Sequence, residues 1–303
     1  MNDINNRKNF NPEKRGKDIE NIKLGISHGD INGIGYEVML KCFSDNRMFD
    51  FCTPILYGSS KIASYHKKLI NATDFPFVNI RSVEQAEPNK FNILNIIQEE
   101  VKIDIGQPTE IGGKLAAMSL DIACRDLMNG KIDALVTNPI NKKNIQSDKF
   151  NFPGHTEYLT KMFGVDESLM IMTCNKLHIG IMTNHLSLSQ VPQVITKELI
   201  LRKLKVMNDS LKRDFGIRMP KIAVLALNPH AGDRGLIGEE DDAIVTPAIQ
   251  EAFDKGILVF GPYPADGFFG NGTMKDFDGV MALYHDQGLI PFKLMSFTEG
   301  VNF

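Results

Sequence analysis

Cysteine is scarce in this sequence. The 303 residues hold four, Cys42, Cys52, Cys124 and Cys174, scattered and without a C-x-x-C pair. That spacing excludes a disulfide framework, and the four read as reduced core thiols of a cytoplasmic protein. An excess of one charge is missing too: 34 Lys and Arg stand against 37 Asp and Glu, a net of −3. With no basic face and no acidic block, neither a nucleic-acid partner nor a charged tail is expected. No apolar run approaches the roughly 18 residues of a membrane span. Met1 to Asn21 carries charges from Arg7 to Glu20 and no apolar stretch, so it is no secretory signal and reads as a loose leader over 1–20. No repeat at a period of about 20 to 50 residues appears, which removes solenoids.

What is present is an alternation of short apolar runs with amphipathic ones. Lys23 to Ser27, Pro54 to Gly58, Ala134 to Thr137, Lys221 to Leu227, Leu258 to Gly261 and Gly279 to Leu283 read as strands, and Phe91 to Ile97 as an edge strand or loop. Leu169 to Cys174 and Leu177 to Thr183 read as two strands paired through Asn175-Lys176. Helical spacing marks Tyr36 to Phe43, Lys61 to Leu69, Thr109 to Asn129, His155 to Phe163, Thr196 to Phe215 and Ile244 to Lys255. The third of these has a buried face of Leu115, Met118, Leu120, Ile122 and Leu127 and stops at Asn129-Gly130. The pattern predicts an α/β protein with a mainly parallel sheet in two lobes, 21–134 and 135–303.

Chemistry-bearing residues gather where strands stop. Gly29 to Gly35 follows the first strand and opens a helix. Glycine there either lets backbone N–H groups approach an anion or supplies a tight turn with positive φ; no G-x-G-x-x-G is present. Asn138-Pro139-Ile140-Asn141-Lys142-Lys143 follows Thr137, and Lys142 serves either an anionic substrate or a solvated loop. Three histidines stand at element ends. His155 opens a helix after Pro153-Gly154, His230 lies in Asn228-Pro229-His230-Ala231-Gly232, and His285 in Tyr284-His285-Asp286-Gln287-Gly288. The last is read as a glycine-containing turn, with Lys293 eight residues on. Neutral imidazoles suit borderline divalent metals and three leave positions open for substrate. Asp266 and Asp286 could orient an imidazole through its second nitrogen. His28 and His185 are weaker ligand candidates; His66 and His178 lie inside apolar patterns and read as structural.

These segments carry a family resemblance. Gly29-Asp30 through Gly33-Ile34-Gly35, Val136-Thr137 through Lys142, Pro153-Gly154-His155-Thr156-Glu157, Leu227-Asn228-Pro229-His230-Ala231-Gly232, Gly261-Pro262 with Pro264-Ala265-Asp266, Tyr284 through Gly288, Lys293 and Gly300-Val301-Asn302 together resemble the 4-hydroxythreonine-4-phosphate dehydrogenases of vitamin B6 biosynthesis, in that family's order. The resemblance implies a two-lobed fold like that of isocitrate and isopropylmalate dehydrogenases, and a homodimer whose active site is completed by the partner subunit. It places His155, His230 and His285 on the metal ligands, Lys293 and Asn302 on substrate contacts, and Asp266 on a polar active-site position. Asn141 stands where many members use a substrate-contacting histidine, and Lys142 and Lys293 suit the substrate's phosphate and carboxylate.

The reaction so implied is NAD- or NADP-dependent oxidation of 4-phosphooxy-L-threonine, with loss of carbon dioxide to give 3-amino-2-oxopropyl phosphate. A divalent cation (zinc, magnesium or cobalt) on neutral imidazoles keeps its charge and can acidify the alcohol. Phosphorylated sugar acids, threonate or erythronate 4-phosphate, are the alternative substrates, and a silent metal-binding paralogue the alternative role. The family usually continues for several tens of residues with an arginine and an Asp-His-Gly-Thr-Ala-type segment, which have no counterpart here. The expectation is therefore a truncated member with impaired activity and uncovered apolar surface, or a fragment.

Overall fold

The computed structural model describes residues 22–303 apart from 73, 149 and 176, so the leader expected over 1–20 lies outside the described residues. Their contacts divide them into two compact units, 22–164 and 165–303. The division falls after residue 164, not at 134/135 as the sequence suggested. The reason is a strand pairing: Ala134–Thr137 hydrogen-bonds in parallel with the first strand and so belongs with what precedes it.

The first unit runs β1 (Ile22–Ser27), α1 (Gly35–Cys42), β2 (Cys52–Gly58), α2 (Ser60–Leu69), β3 (Val78–Ile80), β4 (Asn92–Asn95), α3 (Glu110–Met128), β5 (Ala134–Thr137) and α4 (His155–Met162). Its sheet has the order β3-β4-β2-β1-β5, with every pair parallel. Every residue of β2 is buried, as a parallel strand covered on both faces requires. The stretch read as edge or loop, Phe91 to Ile97, holds β4, which is interior; the edge is the three-residue β3, too short for a periodic signal. Helix α3 starts where expected because the Thr109 side chain accepts the Gly112 N–H at 3.2 Å, and it lays Leu115, Leu120, Ala123 and Cys124 inward. Burial pushes the Cys124 thiol up to about 12; all four cysteines are free, and three are buried as expected, but Cys42 is exposed at the end of α1 and is no core thiol.

The second unit runs β6 (Met170–Cys174), β7 (Leu177–Thr183), α5 (Val191–Val194), α6 (Lys197–Arg213), β8 (Ile222–Leu225), α7 (Thr246–Asp254), β9 (Val259–Tyr263), α8 (Ala265–Gly270), β10 (Gly279–Tyr284), α9 (His285–Ser296) and β11 (Val301–Asn302). The order is β11-β6-β7-β10-β8-β9, in which β7, β10, β8 and β9 are parallel. The β6–β7 pair is the antiparallel hairpin expected, with Asn175 in a left-handed conformation at its turn.

Helix α6, capped by Thr196, packs Ile200, Leu204, Met207 and Leu211 against Val224, Met281 and Leu283 on one face of the sheet. Phe268, Leu289 and Phe292 cover the other face. Each such side chain contributes about 1.5–3 kcal/mol on burial, and Leu204→Ala would remove that and leave a void, at about 2–5 kcal/mol. The segment after Tyr284, read as a turn, is instead α9, beginning at His285. Gly288 and Pro291 disguise it. A Cβ on Gly288 would stand 2.4 Å from Ile181 Cδ1, so glycine is there to seat the helix on β7.

Candidate active site

The parallel strands aim their carboxyl ends at the loops that carry the candidate residues, the usual place for ligands in open α/β sheets. In the first unit these are His28 after β1 and the 138–144 loop after β5. Gly29, at φ +71°, turns the chain so tightly that a Cβ would stand 2.3 Å from the Pro139 carbonyl oxygen, and the Asp30 N–H donates to that oxygen at 3.0 Å. Of the two roles open to the Gly29–Gly35 loop, the tight turn is therefore visible at Gly29. Behind it, Asn144 Nδ2 donates to Asp30 Oδ2 at 2.9 Å and Asn32 Nδ2 to Thr109 Oγ1 at 2.8 Å, which ties the two loops to the start of α3.

The Asn141 side-chain oxygen accepts the N–H groups of Lys143 (2.9 Å) and Asn144 (3.3 Å), so only its NH2 remains to face a ligand. Lys142 is exposed and close enough to His155 to act on it. His155 is the first residue of α4, seated by Tyr158 stacked on Phe150 at 5.0 Å. Its Nε2 is buried without a hydrogen-bond partner among the described residues. Burial first, and the Lys142 charge second, lower its pKa and keep it neutral.

His28 is fully buried, stacked 5.8 Å from Tyr36, and among the described residues neither ring nitrogen makes a hydrogen bond of ordinary geometry. Burial drops its pKa to about 4, only partly offset by the backbone at Gly29 and Leu115 and by the Asp30 charge. It is a core residue. His66, bonded through Nε2 to the Ile31 carbonyl, and His178, bonded to Thr173 Oγ1, are buried as the sequence suggested.

In the second unit, Thr183 pairs with Tyr284, so the ends of β7 and β10 bring His185 and His285 together, ring centroids 6.0 Å apart. They line a cavity of about 260 Å³ with Asn184, Leu186, Leu188, Tyr284 and Asp286. That volume suits the reacting end of a small substrate and is too small for a dinucleotide. His285 Nδ1 lies 2.7 Å from Asp286 Oδ1. The carboxylate fixes the tautomer and leaves Nε2 as the available lone pair, the orienting role expected of Asp286. Asp266 sits in the first turn of α8, exposed and bonded to no imidazole among the described residues. Lys293 is exposed on α9, and Asn302 is exposed on β11, opposite Met172.

His230 has an unusual setting. From His230 through Gly235 six consecutive residues have positive φ, four of them not glycine: His230 (53°), Ala231 (53°), Asp233 (43°) and Arg234 (57°). Left-handed backbone costs about 1–2 kcal/mol at each such residue, so something must hold the turn. Fully buried Asp241 does, accepting the N–H groups of Leu227 (2.7 Å) and Asn228 (2.9 Å) and the Asn228 side-chain NH2 (3.1 Å). Asp241 sits in a short π-helical turn (Asp241–Val245) before α7. Sequence reading assigned it no role; an acid in a Gly-Glu-Glu-Asp-Asp run looks like a solvated helix start.

Of the three histidines placed on metal ligands, His155 belongs to the first unit and His230 and His285 to the second. Among the described residues no three His, Cys, Asp or Glu side chains stand gathered as a metal-binding group. Taken singly, two of these imidazoles have the state a metal ligand needs: His155 has a buried, partnerless Nε2 held neutral, and His285 an Nε2 freed by the carboxylate on its other nitrogen.

A family model described as "Pyridoxal phosphate biosynthetic protein PdxA" matches residues 50–303. The chain belongs to the PdxA family. It is 48% identical over 284 residues to a 4-hydroxythreonine-4-phosphate dehydrogenase of Bacteroides thetaiotaomicron, covering 93% of this chain and 78% of that one. A protein of the same name from a Sulfurihydrogenibium species is 38% identical, covering 93% of this chain and 85% of its own length. Among solved structures, a 4-hydroxythreonine-4-phosphate dehydrogenase from Burkholderia phymatum superposes with a TM-score of 0.81 at 30% identity, over 93% of this chain and 86% of that one. The two α/β units with mainly parallel sheets are the isocitrate/isopropylmalate dehydrogenase-like fold that the PdxA resemblance implied.

Proposed function

We propose that this PdxA-family chain oxidises 4-phosphooxy-L-threonine at its secondary alcohol with NAD or NADP and releases carbon dioxide, yielding 3-amino-2-oxopropyl phosphate for pyridoxal phosphate synthesis. The relatives' names support the substrate. The observation that carries the chemistry is the state of the imidazoles, with His155 Nε2 buried, neutral and partnerless and His285 Nε2 released by Asp286. A divalent cation (zinc, magnesium or cobalt) on His155, His230 and His285 would supply Lewis acidity at the alcohol, and the nicotinamide would take the hydride.

The chain's own residues do the rest. Asp286 holds the His285 ring in its binding tautomer. Lys142 and Lys293 present exposed ammonium groups for phosphate and carboxylate, and the Asn141 NH2 and Asn302 offer hydrogen bonds that orient the substrate. Asp266, in the first turn of α8, is left free to hold or move a proton near the substrate.

A homodimer is part of this reading. Helix α9 exposes Leu294 (83%) beside Ile290, and Phe297 (79%) follows at its end, apolar surface that a second copy would cover. Sedimentation at twice the chain mass checks it. No described helix is long and apolar enough to cross a membrane, which suits a cytoplasmic enzyme.

The test is reduction of NAD and NADP by the 303-residue chain with added magnesium, zinc or cobalt, in parallel on 4-phosphooxy-L-threonine and on threonate and erythronate 4-phosphates. Fastest turnover of the amino acid is expected. Faster turnover of a sugar acid would replace the substrate, and no reduction with any of them would overturn the enzymatic reading.

A further inference from the structure

The pairing of β8 with β10 stops short of the strand ends. The register runs Gly279 with Ile222, Val280 with Ala223 and Met281 with Val224, so two residues further on Leu283 would face Ala226, just past the end of β8. A side chain stands there in place of the ladder. Gln287 Oε1 accepts the Leu283 N–H at 2.7 Å, and Gln287 Nε2 donates to the Ala226 carbonyl at 2.7 Å. The amide is buried and uses one donor and one acceptor as a peptide group would. It therefore spaces the two strands apart by the width of an amide while keeping them bonded.

Each of these strands leads into a candidate ligand. Two residues past Leu283 comes His285. Directly past Ala226 come Leu227 and Asn228, both held by the Asp241 carboxylate, and then the left-handed turn with His230. Thr183 Oγ1 closes the frame on the other side by donating to the Leu283 carbonyl at 2.7 Å. Gln287 thus bonds the backbone at Leu283, two residues before His285, to Ala226, and Asp241 bonds the next two residues, Leu227 and Asn228, which lead into the His230 turn.

We propose that Gln287 and Asp241 are positioning residues that set the distance between His230 and His285, and so the geometry offered to a divalent cation. This rests on the metal role proposed for those histidines. An amide spacer has a physical advantage over direct strand pairing. It opens the crevice at the strand ends without leaving a buried N–H or carbonyl unpaired, which in an apolar sheet centre would be costly.

The test uses the full chain and cobalt(II) alone, titrated by calorimetry and by the visible spectrum of the bound ion, which reports donor number and geometry. Gln287→Met keeps the side-chain length and removes both bonds. It is expected to weaken cobalt binding tenfold or more and to alter the spectrum at temperatures where the variant remains folded, as loss of groups that orient ligands does. In a His230→Ala background the same change should have little further effect, because the distance it controls no longer matters. Asp241→Asn, which keeps the side-chain shape but leaves one acceptor oxygen for the N–H groups of Leu227, Asn228 and the Asn228 side chain, carries the same cycle if Gln287→Met does not fold. Wild-type affinity and spectrum in the folded variants, or an equal loss with and without His230, would overturn the proposal. If His230→Ala and His285→Ala themselves leave cobalt binding unchanged, it is the metal assignment that fails.

Discussion

The buried His28 makes a prediction whose size can be worked from its surroundings. The ring is fully enclosed, stacked on Tyr36, and its pKa falls from 6.5 to about 4 chiefly because burial disfavours the charged form. As pH falls below 6.5 the unfolded chain takes up a proton that the folded chain refuses. The unfolded state then binds more protons, so stability must rise with pH across this window and fall on acidification. The fall from 6.5 to about 4 corresponds to about 3 kcal/mol, lost as pH drops from 6.5 to about 4.

His66, His155 and His178 have pKa values lowered mainly by burial and add in the same direction, so the wild-type curve alone does not isolate His28. The variant His28→Phe does. It keeps a flat ring against Tyr36 and discards two nitrogens that make no ordinary hydrogen bond, so at pH 7 it should lie within about 1 kcal/mol of wild type. Its advantage should then grow by about 3 kcal/mol as pH falls to 4. The chain has two units and need not unfold in one step, so the quantity to measure is hydrogen exchange of the most protected amides of β1 and β2. Wild-type and variant curves that run parallel from pH 7 to 4 would mean that His28 does not carry this pH dependence.

Two other sites make predictions of their own. Gly29→Ala should destabilise the first unit by about 2–4 kcal/mol, since it combines left-handed strain with a Cβ 2.3 Å from the Pro139 carbonyl; an unchanged denaturation midpoint would mean that the close approach is not a constraint. Lys293→Ala should raise the KM for 4-phosphooxy-L-threonine about tenfold to a hundredfold, the worth of a hydrogen bond to a charged group, while cobalt affinity stays within about twofold. Equal losses in both would mean that Lys293 acts on the fold of α9 instead of on substrate.

Much of this architecture is local and so is written in the sequence. Thr109 and Asn129-Gly130 bracket α3, Thr196 starts α6, and Asn175 turns the β6–β7 hairpin, because caps and left-handed turns depend on a few neighbouring residues. The three histidines, Asp286 and both lysines are likewise visible as polar residues where apolar runs stop.

Other features needed the tertiary structure. That β4 lies inside its sheet, and that β5 belongs to the first unit, depends on pairings between residues far apart in the chain, which no local pattern encodes. Helix α9 reads as a turn because Gly288 and Pro291 oppose helix locally; burial of Leu289 and Phe292 and the fit of Gly288 on Ile181 outweigh that preference. The left-handed turn at His230 is unfavourable by itself and exists because Asp241, out of sight in a charged run, bonds its base. The amide of Gln287 becomes a strand spacer only once β8 and β10 lie side by side. The residue types that could do chemistry are fixed by covalent structure, but their spacing is fixed by buried hydrogen bonds that form only when distant segments meet.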